Sequence, residues 1–73
     1  MLKIGDTVMW RGGFGRQNPQ PVKVEAIELT EQPREKYGEE VEEVSWDAVR
    51  ENRVVMTLDN GYWAYSDQIE PMP

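Results

Sequence analysis

Asn60-Gly61 stands between two β-favourable runs, residues 53–59 and 62–65, and constrains this chain's fold more than any other feature of the sequence. A two-residue type I′ hairpin turn needs positive φ at both central positions, which Asn and Gly tolerate best. With that turn Asp59 faces Tyr62, Leu58 faces Trp63, Thr57 faces Ala64 and Met56 faces Tyr65. One face of the hairpin then carries Val54, Met56, Leu58, Trp63 and Tyr65. The other carries Val55, Thr57, Asp59, Tyr62, Ala64 and Ser66. The first set is the more apolar and is expected to face the core.

The rest of the chain also reads as short strands. Thr7-Val8-Met9-Trp10 is β-favourable and ends in the glycine-rich stretch Arg11-Gly12-Gly13-Phe14-Gly15, so residues 11–21 read as an irregular loop. Residues 21–30 form the next strand. Val22 and Val24 share one phase of the two-residue period, Ile27 and Leu29 the other, so a bulge or bend near Glu25-Ala26 is needed to bring both pairs to one core. Residues 31–38 read as a loop. Residues 39–52 suit either a strand or a helix, and the preferred reading is a strand to Trp46 followed by one helical turn capped by Ser45. Ser66-Asp67-Gln68 reads as a tight turn, and Ile69-Glu70 as a brief last strand ended by Pro71.

At 73 residues the chain has room for one domain, and such a chain buries only about 60% of the surface its unfolded form exposes. It contains no Cys and no His, so disulfide and zinc staples are not available. Three Trp, three Tyr and one Phe are expected to supply burial in their place, because each large ring removes much apolar surface from water. No apolar stretch is long enough for a signal peptide or a membrane span. A cytoplasmic monomer, complete from its methionine, is expected.

Gly5-Asp6-Thr7-Val8, the run from Leu58 through Asn60-Gly61 to Tyr65, and Asp67-Gln68-Ile69 together resemble the SH3-like barrels, a group that includes Tudor and KOW-type modules. The tail is also similar to that of small bacterial or mobile-element proteins from which no activity follows. The resemblance spans most of the chain except an enlarged segment at 31–52. It implies a mostly β fold, a five-stranded barrel over residues 1–73 with an enlarged loop or short helical turn in that segment. The acidic arm and ALYDY-like run of proline-peptide-binding SH3 domains are missing, so the resemblance implies architecture and leaves the ligand open.

Eight basic residues stand against 14 acidic ones, a net charge of −6. That sign disfavours a phosphate backbone as partner, because such binding draws on counterion release by Lys and Arg. The first 24 residues are nevertheless locally basic, with Lys3, Arg11, Arg16 and Lys23 against Asp6. Without His or Cys the commonest general base and the easiest nucleophile are missing, and no enzymatic activity is expected. Glu39-Glu40 and Glu42-Glu43 read as a solvated acidic stretch, and no metal or cofactor site is expected. Trp63 and Tyr65 are assigned to the core, as is Trp10, while Trp46 suits either core or surface. The expected function is an interaction module docking a protein segment through Tyr62, Trp46 and the 11–16 loop. The alternative is nucleic-acid binding through Arg11, Arg16 and Lys23 beside Phe14.

Overall fold

The computed structural model describes residues 1–31 and 38–72, apart from the side chains of Phe14 and Gly15. The loop expected at 31–38 therefore falls largely outside the described residues. In chain order the elements are β1 (Leu2–Lys3), β2 (Thr7–Trp10), α1 (Gly12–Gly15), β3 (Gln20–Leu29), β4 (Glu39–Val41), β5 (Glu43–Val44), α2 (Trp46–Arg50), β6 (Val54–Leu58), β7 (Trp63–Tyr65), a 3-10 turn (Ser66–Gln68) and β8 (Ile69–Pro71). The fold is mostly β, and the strand pairs among the described residues are antiparallel.

The main sheet runs β7-β6-β3-β2-β8, with β4 added to β3, while β1 and β5 form a separate pair. The two end strands, β7 and β8, are not hydrogen-bonded to each other, so the sheet is open rather than a closed five-stranded barrel.

β3 is the spine of the fold. Its first half pairs with β2, where Val22 faces Val8, and its second half pairs with β6 and β4, where Ile27 faces Met56 and Val41. The β3–β6 register shifts between Val24 and Ala26, which makes Glu25 the extra, bulged residue. This is the bend that the two hydrophobic phases require. Because of it Val22, Val24 and Ile27 are all buried in one core with Leu2, Val8, Trp10, Val44, Val49, Val54, Met56, Leu58, Ala64 and Ile69.

The hairpin forms, but in a different register from the one expected. Val55 faces Tyr65, Met56 faces Ala64 and Thr57 faces Trp63. Leu58 N–H donates to Tyr62 O at 2.9 Å, which leaves Asp59, Asn60 and Gly61 as a three-residue loop. Only Gly61 takes a positive φ in it, +87°, as expected of a turn closed by a left-handed glycine. Two bonds select this loop, one local and one to a distant strand. The Asn60 carboxamide oxygen accepts from Tyr62 N–H at 3.0 Å, and Asp59 N–H donates to Lys23 O at 3.0 Å, extending the β3–β6 ladder instead of facing Tyr62. The one-residue difference reverses the faces of β7. Ala64 is 1% exposed in the core, Trp63 is 51% exposed on the outer face, and Tyr65 is half-buried there. The core assignment of Trp63 and Tyr65 is thereby corrected. Ala64 suits its inward place, since a residue opposite the buried Met56 has to be small.

Three other local readings also change or sharpen. The 11–21 stretch is not wholly irregular: α1 makes one helical turn and β3 already starts at Gln20. The strand expected to run to Trp46 stops at Val44, and Trp46 opens α2, because Ser45 Oγ accepts from Asp47 N–H at 3.1 Å. The helix ends on Asn52 at φ +59°, with Arg53 N–H on Ala48 O and Asn52 N–H on Val49 O, a Schellman closure. Leu2, given no strand role by the sequence, faces Val44 in the β1–β5 pair and is fully buried. The turn from β1 to β2 is held by Lys3 N–H on Asp6 Oδ2 at 2.9 Å and Gly5 N–H on Val24 O at 2.7 Å.

Candidate functional site

The 3-10 turn at Ser66–Gln68 is the junction on which α1 and α2 meet. Gln68 is its clasp. Its carboxamide oxygen accepts from Tyr65 N–H at 3.0 Å, its Nε2 donates to Arg11 O at 3.2 Å, and its backbone carbonyl accepts from Arg11 N–H at 3.0 Å. The end of β2 is thus fixed against the start of β8, where Trp10 faces Ile69.

Beside this junction, between α2 and β8, lies a groove of about 310 Å³. Trp46, Val49, Ile69 and Pro71 supply its apolar surface, while Arg50, Asp67 and Glu70 supply charge. Trp46 is half-buried at the first position of α2, packed against the core with part of its ring surface available. The rim charges are mostly internally paired: Arg50 with Asp47, and Arg11 Nε with Glu70 at 3.7 Å. These pairs are solvent-exposed and contribute little to stability. Asp67 is the exposed rim carboxylate outside those pairs.

A second aromatic feature lies at the hairpin tip. The Tyr62 ring stacks on Trp10, with centroids 5.5 Å apart and planes 27° apart. Tyr62 is 63% exposed, whereas Trp10 is 6% exposed. Trp10 is also closed in by Gly12, where a Cβ would stand 2.9 Å from the Trp10 Cη2 and 2.6 Å from the Gln17 amide oxygen. Only a glycine lets α1 approach the indole this closely. Trp10 Nε1 is buried and has no hydrogen-bond partner among the described residues.

The residues singled out from sequence are therefore divided among several places. Trp46 lines the groove and Arg11 borders it through Glu70. Tyr62 is exposed, but its ring is engaged with Trp10. Arg16 is exposed at the end of α1. The backbone of Phe14 belongs to α1, and its side chain lies outside the described residues. Lys23 is exposed on β3 three residues beyond Gln20, so roughly 10 Å along the strand from the position facing Trp10. Its N–H donates to Asp59 Oδ1 at 3.2 Å.

Val49, Asp67, Glu70 and Pro71 are groove residues that sequence reasoning missed. The cap at Ser45 and the turn at 66–68 were legible, but nothing local says that the two elements they begin pack side by side. Among the described residues no group of three or more Asp and Glu is placed to hold a metal ion, and no helix is long and apolar enough to cross a membrane. No family model, curated protein or solved structure matches the chain.

Proposed function

We propose that the chain is a non-enzymatic docking module on an SH3-like scaffold, and that the groove between α2 and β8 takes an apolar side chain from an extended protein segment. The scaffold reading is supported by the strand order, with β2 between β3 and the last strand, by the bulged β3, and by the 3-10 turn before β8. The Tyr62–Trp10 stack adds a side-chain link between the hairpin tip and β2 across the open sheet. The docking reading is carried by one observation: a groove walled by the half-buried Trp46 and the exposed Pro71 over the buried Val49 and Ile69, with carboxylates at its rim. Apolar grooves with a few placed polar groups are the usual form of a recognition site. The acidic rim and the net charge of −6 favour a segment with a cationic residue flanking its apolar anchor.

Nucleic-acid binding is the weaker reading, since Arg11 is tied to Glu70 and Lys23 stands apart from the 11–16 loop. A random-peptide display selection, followed by NMR mapping of the selected peptides, tests the docking reading. The expected result is enrichment on wild type, with shifts centred on Val49, Asp67 and Ile69, and loss of binding in Trp46→Ala. Trp46 packs against the core, so Asp67→Lys serves as a second variant that leaves the core untouched. Peptides that bind Trp46→Ala and Asp67→Lys as well as wild type would sink the reading. Shifts from single-stranded DNA centred on Arg16 and abolished by salt would put nucleic acid in its place.

A further inference from the structure

The Asn60-Gly61 turn carries a reactive pair as well as a shape. An asparagine carboxamide is open to attack by the backbone nitrogen of the next residue, and a glycine leaves that nitrogen unhindered because it has no Cβ. The chain has three asparagines, and they differ in this respect. Asn18 precedes Pro19, whose nitrogen has no proton to give up. Asn52 precedes Arg53, which has a Cβ beside the nitrogen and an N–H that closes α2 on Ala48 O at 3.1 Å. Asn60 precedes Gly61, and both are exposed.

The fold presents this pair to solvent. A Cβ built on Gly61 would meet no described atom within 4 Å, so water and base reach the peptide. The loop is anchored at its ends, by Leu58 N–H on Tyr62 O at 2.9 Å and Asp59 N–H on Lys23 O at 3.0 Å. Its tip carries two further bonds. Gly61 N–H donates to Leu58 O at 3.1 Å, and this bond has to open before the nitrogen reacts. A bond at an exposed loop tip opens locally, without unfolding the sheet behind it. The second bond assists the attack. Tyr62 N–H donates to Asn60 Oδ1 at 3.0 Å, and that oxygen is where negative charge develops as Cγ is attacked.

We propose that Asn60-Gly61 is a self-modification site, at which the folded chain converts asparagine to isoaspartate and aspartate with water as co-reactant, and that the isoaspartate form releases Tyr62 from Trp10. The Gly61 nitrogen gives its proton to a solvent base and bonds to Asn60 Cγ. The carboxamide nitrogen takes up a proton and leaves as ammonia. Water then adds to the cyclic imide. Opening at Cγ leaves aspartate, and opening at the backbone carbonyl leaves isoaspartate, whose main chain runs through Cβ and Cγ. Nothing is oxidised or reduced, and either product adds one negative charge to the net −6. In isoaspartate the former side-chain oxygen becomes the peptide carbonyl of a lengthened main chain. The acceptor that seats Tyr62 N–H is thereby displaced, and with it the support of the ring stacked 5.5 Å from Trp10. The site is separate from the groove between α2 and β8 and does not depend on it.

The test incubates the native protein in mildly alkaline buffer at physiological temperature. Each asparagine is followed by peptide mapping with electron-transfer fragmentation, which separates isoaspartate from aspartate. Over days, isoaspartate is expected to accumulate at Asn60, with the mass gained when OH replaces NH2, while Asn18 and Asn52 stay unchanged. Asn60→Ser keeps a local acceptor for the turn and should show no conversion at this position. The isoaspartate form, separated by ion exchange, should show a weakened near-ultraviolet circular dichroism of the aromatic pair and an unchanged far-ultraviolet signal of the sheet. Absence of conversion at Asn60 in the native protein, conversion only in denaturant, or equal conversion at Asn52 would overturn the proposal. So would an isoaspartate form with the wild-type near-ultraviolet spectrum.

Discussion

The Ser66 hydroxyl takes the place of a backbone partner for Val54, donating to its carbonyl at 2.8 Å and accepting from its N–H at 3.2 Å. Both residues are buried. The β6–β7 ladder ends at Tyr65, where the chain turns into the 3-10 segment, and the next backbone pair is replaced by this one side chain. Ser66→Ala would leave a buried N–H and a buried carbonyl unpaired, at a cost of about 2 kcal/mol. For a chain of this length that lowers the melting temperature by roughly 10 °C. Thermal unfolding together with amide exchange at Val54 checks it: a wild-type melting point with a protected Val54 amide would show that the hydroxyl is dispensable.

The hairpin register can be tested by exchanging sizes across β7. Ala64 faces buried Met56, so Ala64→Leu overpacks the core and should cost about 1–3 kcal/mol. Trp63 points outward at 51% exposure, and Trp63→Ala should cost no more than about 1 kcal/mol. Urea unfolding of the two variants ranks them. The reverse order would restore the two-residue turn, with Trp63 in the core.

Gly12 allows α1 to lie against Trp10, and Gly12→Ala brings a methyl carbon to 2.9 Å from the indole. Either the ring or the turn must shift, and a loss of about 1–3 kcal/mol is expected. Because Tyr62 stacks on the same ring, the variant should also change the near-ultraviolet circular dichroism of the aromatic pair. An unaltered spectrum and an unaltered stability would mean that the approach is looser than 2.9 Å implies.

Asn52 closes α2 in the left-handed region at φ +59°. A side chain with a Cβ and no local hydrogen-bonding group is disfavoured there by roughly 1–2 kcal/mol. Asn52→Ala should therefore lose about 1 kcal/mol, while Asn52→Gly should match or exceed wild type. Equal stability of the alanine and glycine variants in chemical denaturation would remove the Schellman closure from the account.

Gln68 joins Tyr65 N–H and the Arg11 carbonyl through opposite ends of one carboxamide. Gln68→Glu keeps an acceptor for Tyr65 and removes the donor to Arg11. Faster exchange of the Arg11 amide is expected, at a cost of about 1 kcal/mol. Gln68→Ala loses both bonds and should cost more. An Arg11 amide that exchanges at the wild-type rate in both variants would show that the backbone bond to Gln68 holds the loop without the side chain.

What the sequence determined by itself is the part governed by neighbours in the chain. The phase change from Val22 and Val24 to Ile27 and Leu29 required a bulge, and Glu25 supplies it. Ser45 marked a helix start, Asn60-Gly61 a hairpin, and residues 66–69 a turn into a last strand, because caps and turns are made by side chains bonding to backbone a few residues away. Trp10 followed Val8 into the core by simple alternation. The tertiary structure decided whatever depends on segments far apart in the chain. Lys23 draws Asp59 out of the hairpin, and the one-residue change sends Ala64 inward and Trp63 outward. Val44 gives Leu2 a strand partner, and Glu70 engages Arg11. The groove at Trp46 exists only because α2 and β8 pack beside the same 3-10 turn. Periodicity places a side chain on a face, but the register between distant segments decides which face is buried.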